Sequence, residues 1–132
     1  MKNIIIFLLV LSADQTTKYI AAANMDWRAN TGISFGLFPQ FPLWIFFALI
    51  VLILFLKIIY KIKFDLKWAL FMAGICGNLI DRVRFGYVVD WIPLPFPFMD
   101  GLRINIADAA LISGFICYIL SEFKKLSYKQ PD

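Results

Sequence analysis

Most of this 132-residue chain is taken up by four stretches of bilayer-crossing length, and carboxylates interrupt or border them. The run from Phe41 through Leu54 to Tyr60 carries a single charge, Lys57, near one end. A helix needs ~20 predominantly apolar residues, at ~1.5 Å rise each, to cross roughly 30 Å of hydrocarbon. Residues 68–87 and 104–123 are similar in length, and 3–23 forms a weaker fourth candidate. With 61% hydrophobic residues, 14 Phe and a mean hydropathy of +0.77, the chain holds more apolar surface than one soluble domain of this size buries. The predicted fold class is an all-α membrane protein: four transmembrane helices in one domain, residues 1–132. No internal repeat is visible, which weighs against the repeat-built transporters.

Charge placement orients the spans. Lys2 precedes the first; Lys57, Lys61, Lys63 and Lys67 lie around the connection between the second and third; Lys124, Lys125 and Lys129 follow the fourth. The alternate connections hold Arg28, Arg84 and Arg103, with Arg82 near a helix end. Counted over short loops, this places the lysine-rich side, and both termini, in the cytoplasm. The same asymmetry accounts for the net charge of +4 without a nucleic-acid surface. Lys2, the run Ile4–Leu11 and Ala21-Ala22-Ala23 are reminiscent of a cleavable signal peptide, but Asp14 and Lys18 break that pattern. Cys76 and Cys117 fall inside spans, where they read as small apolar residues rather than a disulfide framework. There is no His and no Cys cluster, so neither a metal site nor a cofactor is predicted.

The segment 24–40 alternates Ile33, Phe35 and Leu37 with Ser34 and Gly36, a strand-like period of two. It predicts a small β-sheet resting on the outer, extracytoplasmic surface. The second outer loop, 88–103, alternates Pro93, Pro95 and Pro97 with Leu94, Phe96 and Phe98, a spacing that forbids a helix.

Ionisable groups inside spans cost roughly 2.5–3.5 kcal/mol on insertion scales and so mark function. By helical rise, Asp14 and Lys18 lie roughly 16 and 22 Å along the first span, and Asn78, Asp81 and Arg82 roughly 15–21 Å along the third. Asn105 and Asp108 fall within about 6 Å of the outer end of the fourth, and Asp90 lies just past the third. All converge on the outer half of the membrane. Asp14 and Lys18, four apart, can pair on one helix face; Asn78, Asp81 and Arg82 share another, where interhelical bonding is the simplest use. Asp90 and Asp108 have no basic residue at helical spacing, and the loop between them can fold one onto the other. Two carboxylates held together retain one proton and so supply both a base and an acid, as activation of water against an amide requires. Helix-cap or loop roles are the alternative, Asp108 being placed to sit in a first turn.

These residues resemble the lipoprotein signal peptidase (signal peptidase II) family of bacterial membrane aspartyl proteases. Asp14-Gln15-Thr16-Thr17-Lys18 looks like its Asp-Gln-x-Thr-Lys block, Asn30–Phe35 like Asn-x-Gly-x-x-Phe, and Gly77–Arg82 like Gly-Asn-x-x-Asp-Arg. Val88-Val89-Asp90-Trp91 and Asn105-Ile106-Ala107-Asp108 match the two segments with the catalytic aspartates. Trp91 stands where Phe is usual, and Ile104 where an aromatic often precedes Asn105. The resemblance implies an enzyme of the bacterial cytoplasmic membrane that removes the signal peptide from lipid-modified prolipoproteins, cutting before the diacylglyceryl-cysteine. It implies catalysis by Asp90 and Asp108 near the outer face, a substrate cradle, and a loop that closes over the site. Asp14, Lys18, Asn30, Gly32, Asn78, Asp81, Arg82 and Asn105 would bind substrate or support the site. The partners implied are prolipoprotein and membrane lipid, with no nucleic acid and no obligate protein partner. A proton-coupled transporter or channel subunit using Asp14, Asp81 and Asp108 as a relay is the competing class, and a non-catalytic membrane adaptor a third. A relay needs carboxylates through the full membrane depth, and the inner half of the chain offers only Glu122.

Overall fold

The two terminal helices are inside out by the standards of a soluble protein. A computed structural model describes residues 1–32, 49–50, 53, 57, 60–61, 63–95 and 101–127. Helix α1 (Lys2–Asn24) buries Asp14, Lys18 and Ala21, while Leu8, Leu9 and Ile20 are exposed. Helix α2 runs Leu66–Phe85, and α3 (Ile106–Ser127) buries Ala107, Ala110 and Gly114 while exposing Phe115, Ile116 and Leu120. Large apolar side chains outside and small or polar ones inside is the arrangement hydrocarbon favours, because lipid solvates the first group and only protein can satisfy the second. Among the described residues, α1 and α3 are long and apolar enough to cross a membrane. Of the second expected span only Leu49, Ile50, Ile53, Lys57 and Tyr60 are described.

Local chemistry sets the helix ends. Asp65 caps α2, its Oδ1 accepting from the Trp68 amide at 3.2 Å. Gly86 ends the helix in the left-handed region, φ 78°, with its amide donating to the Arg82 carbonyl. This stop comes two residues before the sequence-based boundary, and α3 starts two residues later than expected because Arg103 and Ile104 are spent on a strand.

The segments that follow α1 and α2 are more ordered than the sequence suggests. Strand β1 (Arg28–Asn30) pairs antiparallel with β2 (Val88–Asp90), Ala29 opposite Val89. Strand β3 (Ile92–Pro93) pairs with β4 (Arg103–Ile104), and the Leu94 amide donates to Leu102 to extend the ladder. The prolines exclude a helix as expected, yet Pro93 takes a place in a two-stranded ribbon, where an edge position needs no N–H. The alternating run Ile33–Leu37 and Pro97 lie outside the described residues.

Glycine and alanine let the helices approach closely. A Cβ at Gly77 would sit 2.6 Å from Asp14 Oδ2 and 2.9 Å from the Ala107 side chain. One at Gly114 would sit 2.8 Å from the Lys67 carbonyl. The α1–α2–α3 junction is therefore closed to any larger residue at Gly77, and this contact brings Asp14 against the start of α3. Cys76 on α2 is half-buried and Cys117 on α3 is exposed on the helix surface. Neither is in a disulfide.

Candidate active site

The first turn of α3 is the scaffold of the site. Asn105 precedes the helix: its carbonyl accepts from the Ala109 amide at 3.2 Å, and its Oδ1 accepts from the Asp108 amide at 2.9 Å. Asp108 answers by accepting from the Asn105 amide at 3.2 Å. This reciprocal pair is a capping box with Asp at its third helical position, so the cap role and a site role coincide in one residue. Asn105 also has a second function: its Nδ2 donates to Asp90 Oδ1 at 2.7 Å. One fully buried amide thus connects both aspartates.

Asp90 is placed by the β1–β2 pairing. Asn30 and Asp90 are diagonal neighbours in that register, close enough for the Asn30 Nδ2 to donate to Asp90 Oδ2 at 2.9 Å. Asn30 is itself oriented by the Gly32 amide, which donates to its Oδ1 at 3.1 Å. The Gly32 carbonyl in turn accepts from Arg82 Nη2 at 2.9 Å, and Arg82 Nη1 reaches the Asn78 carbonyl. Burial pushes the Asp90 carboxyl up to about 6; the Asp108 charge pushes the same way, and the Asn30 and Asn105 amides oppose it. Cleavage chemistry run by the pair should therefore lose activity as pH rises through the upper apparent pKa, because the last shared proton leaves. Asn30→Ala removes a donor that favours the carboxylate, so it should shift that alkaline limb of kcat/KM to higher pH while lowering the maximum. A limb that stayed in place or moved to lower pH would contradict this.

Behind the aspartates lies a buried ion cluster. Lys18 Nζ pairs with Asp14 Oδ2 at 2.9 Å and Asp81 Oδ2 at 3.0 Å, with all three side chains at most 4% exposed. Each carboxylate has a second task. Asp14 Oδ1 accepts from the Ala107 amide at 2.8 Å, tying α1 to the start of α3, and Asp81 Oδ2 accepts from the Val89 amide at 3.1 Å, tying α2 to β2. The third ammonium contact is Asn78 Oδ1, at 3.0 Å. With its oxygen held by Lys18, Asn78 presents Nδ2 to Asp108 Oδ1 at 2.7 Å. A hydrogen-bonded line therefore runs Lys18 to Asn78 to Asp108.

All ten residues singled out in the sequence meet in this one network. Gln15 joins them without having been expected to: its Nε2 lies within 3.2 Å of Asp14 Oδ2, the Gly77 carbonyl and Asp81 Oδ1. A signal for it exists, since Gln15 stands in the Asp-Gln-x-Thr-Lys block and lies three residues from Lys18 on the polar stripe of α1. Arg103 forms a separate clasp beside the network: it binds the Asp26 carbonyl and carboxylate and the Trp91 carbonyl, tying β4 to the chain just before β1. Among the described residues no group of three or more His, Cys, Asp or Glu is arranged to hold a metal.

Two acids from separate elements, oriented by a shared amide in a membrane-compatible helix cluster, sit in a chain with known relatives. A lipoprotein signal peptidase of Thermodesulfovibrio yellowstonii is 32% identical over 142 residues, covering 94% of this chain and 96% of that protein. One from Staphylococcus aureus (strain MRSA252) is 33% identical over 153 residues, covering 97% and 91%. A bacterial membrane enzyme solved by the in meso method at 2.3 Å resolution superposes with a TM-score of 0.83 at 30% identity, over 99% of this chain and 93% of that one. A second, at 1.9 Å, gives 0.76 at 30% identity, over 93% of each. The family described as signal peptidase (SPase) II matches residues 6–124, nearly the whole span that carries the ion cluster, the amide-linked aspartates and α3, and the chain belongs to that family.

Proposed function

We propose that Asp90 and Asp108 are the catalytic pair of an aspartyl endopeptidase that cleaves lipid-modified prolipoproteins just before the diacylglyceryl-cysteine. Removal of signal peptides from prolipoproteins is the activity of the family to which the chain belongs. The observation that carries the assignment is Asn105, whose single side chain orients one aspartate through Nδ2 and caps the turn that holds the other. In the reaction the ionised carboxylate takes a proton from water as its oxygen attacks the scissile carbonyl carbon. The protonated carboxyl gives its proton to the carbonyl oxygen, and the resulting diol collapses with proton transfer to the departing nitrogen. One proton shared by two acids suffices for both steps.

Asn30, Gly32, Asn78, Arg82 and Asn105 hold the acids in place, and Asp14, Lys18 and Asp81 lock the helices behind them. The outer β-ribbons serve as the substrate cradle. The enzyme crosses the bacterial cytoplasmic membrane four times, with both termini inside and the pair near the outer face, where the acyl chains of the substrate remain in the adjacent leaflet. The relay reading finds no support: Asp14 and Asp81 are already paired with Lys18 and hydrogen-bonded to the backbone.

Purified enzyme in detergent should cut a diacylglyceryl-modified precursor and leave the unmodified precursor intact; equal cutting of both would remove the lipid-modified class as the substrate. Orientation is checked by cysteine labelling of intact cells, with Cys76 and Cys117 first replaced by Ser. A cysteine at Asp100 should react with an impermeant reagent, and one at Lys63 or Lys125 should not. Labelling at Lys63 would invert the topology and move the pair to the opposite face.

A further inference from the structure

Away from the aspartates, the close α2–α3 contact at Gly114 is flanked by a half-open groove of about 280 Å³ lined by Lys67, Trp68, Phe71, Gly114, Phe115 and Tyr118. Along α3 it begins at Gly114, six residues or roughly 9 Å beyond Asp108, and runs toward the lysine-rich end. Its wall is almost wholly apolar, which disfavours water. Its mouth is basic. Residues 57–67 contain Lys57, Lys61, Lys63 and Lys67 against one carboxylate, Asp65. Lys67 Nζ lies 5.6 Å from the Tyr118 ring and 2.9 Å from Ser121 Oγ, and its ion pair to the part-exposed Asp65 spans 3.3 Å. Lys57 Nζ stands 4.3 Å from the Phe64 ring and 5.8 Å from that of Trp68. The Trp68 indole Nε1, on the ring that Lys57 faces, is buried and has no hydrogen-bond partner among the described residues. A buried donor left unpaired is costly, so this one marks a place where an acceptor belongs.

We propose that the groove binds one anionic glycerophospholipid from the leaflet on the lysine side. An acyl chain lies along Phe71, Phe115 and Tyr118, the phosphate meets Lys57 and Lys67, and the Trp68 N–H donates to an oxygen of the glycerophosphate region. Basic pockets between helices on the cytoplasmic side suit such headgroups. The inference rests on the membrane placement proposed above but not on the catalytic assignment.

Delipidated protein offered phosphatidylglycerol and phosphatidylcholine of identical chains should retain one phosphatidylglycerol in native mass spectra, with a preference of about tenfold. Trp68→Phe and Lys67→Gln should each reduce retention several-fold, whereas Lys125→Gln should not. Quenching of tryptophan fluorescence by phosphatidylglycerol with brominated chains should weaken in Trp68→Phe. The catalytically dead Asp90→Asn protein should hold the lipid as well as wild type, which separates this test from that of cleavage. Equal retention of the two lipids, or full retention by both Trp68→Phe and Lys67→Gln, would overturn the proposal, as would displacement of the lipid by a signal-peptide substrate.

Discussion

Asp90→Asn and Asp108→Asn should each reduce cleavage by about 10³-fold or more while leaving inserted, folded protein. Asn keeps the size and polarity of Asp but cannot exchange a proton. The hydrogen bonds add a refinement. Both Asp90 oxygens accept, from Asn105 and Asn30, and both Asp108 oxygens accept, from Asn78 and the Asn105 amide. An Asn at either position turns an NH2 toward one of those donors and loses that bond, at a net cost of about 1 kcal/mol. That is too little to unfold the protein, because the ion cluster and the strand pairing do not pass through the substituted atoms. Two groups that share one proton act as a unit, so the double variant should be hardly slower than either single one. The measurement is single-turnover cleavage of a diacylglyceryl-modified precursor, with thermal unfolding in detergent as the control for folding. Substantial activity in Asp90→Asn alongside a dead Asp108→Asn would rule out the paired mechanism.

The polar residues of the site are legible in the sequence because hydrocarbon makes them conspicuous. Asp14, Lys18, Asn78 and Asp81 interrupt apolar stretches, and helical spacing alone puts each on a face with its neighbour. Partner choice is not legible, since it depends on tertiary approach. Spacing offers Asp14 to Lys18, and that pair forms, but nothing in the sequence indicates that Asp81 shares the same ammonium or that Asn78 carries the line on to Asp108. The strands are hidden for a different reason. Val88–Asp90 is three residues long and Ile92–Pro93 two, too short for a period to register, and they exist because Arg28–Asn30 and Arg103–Ile104 meet them. Trp91 shows the same limit, since its amide bonds to Ile104 across the ribbon.

Lys18→Met should be strongly destabilising. It leaves Asp14 and Asp81, at 0% and 2% exposure, without the ammonium they share. Removing one partner from a buried ionic group costs about 3–5 kcal/mol, because the charge left behind has neither water nor a counter-ion. The backbone bonds to Ala107 and Val89 remain, yet they satisfy only part of each carboxylate. Neutralising all three groups together separates stability from positioning. In Lys18→Met/Asp14→Asn/Asp81→Asn no buried charge is left unpaired, and each Asn carbonyl can still accept from Ala107 or Val89, so much of the lost stability should return. Activity should not return with it. Asn78 would no longer have its oxygen held by an ammonium, and its amide could rotate away from Asp108. The expected result is a triple variant that unfolds near the wild-type temperature but cleaves slowly, with the loss in kcat rather than KM. Recovery of full activity in that variant would mean that Lys18 serves the fold alone.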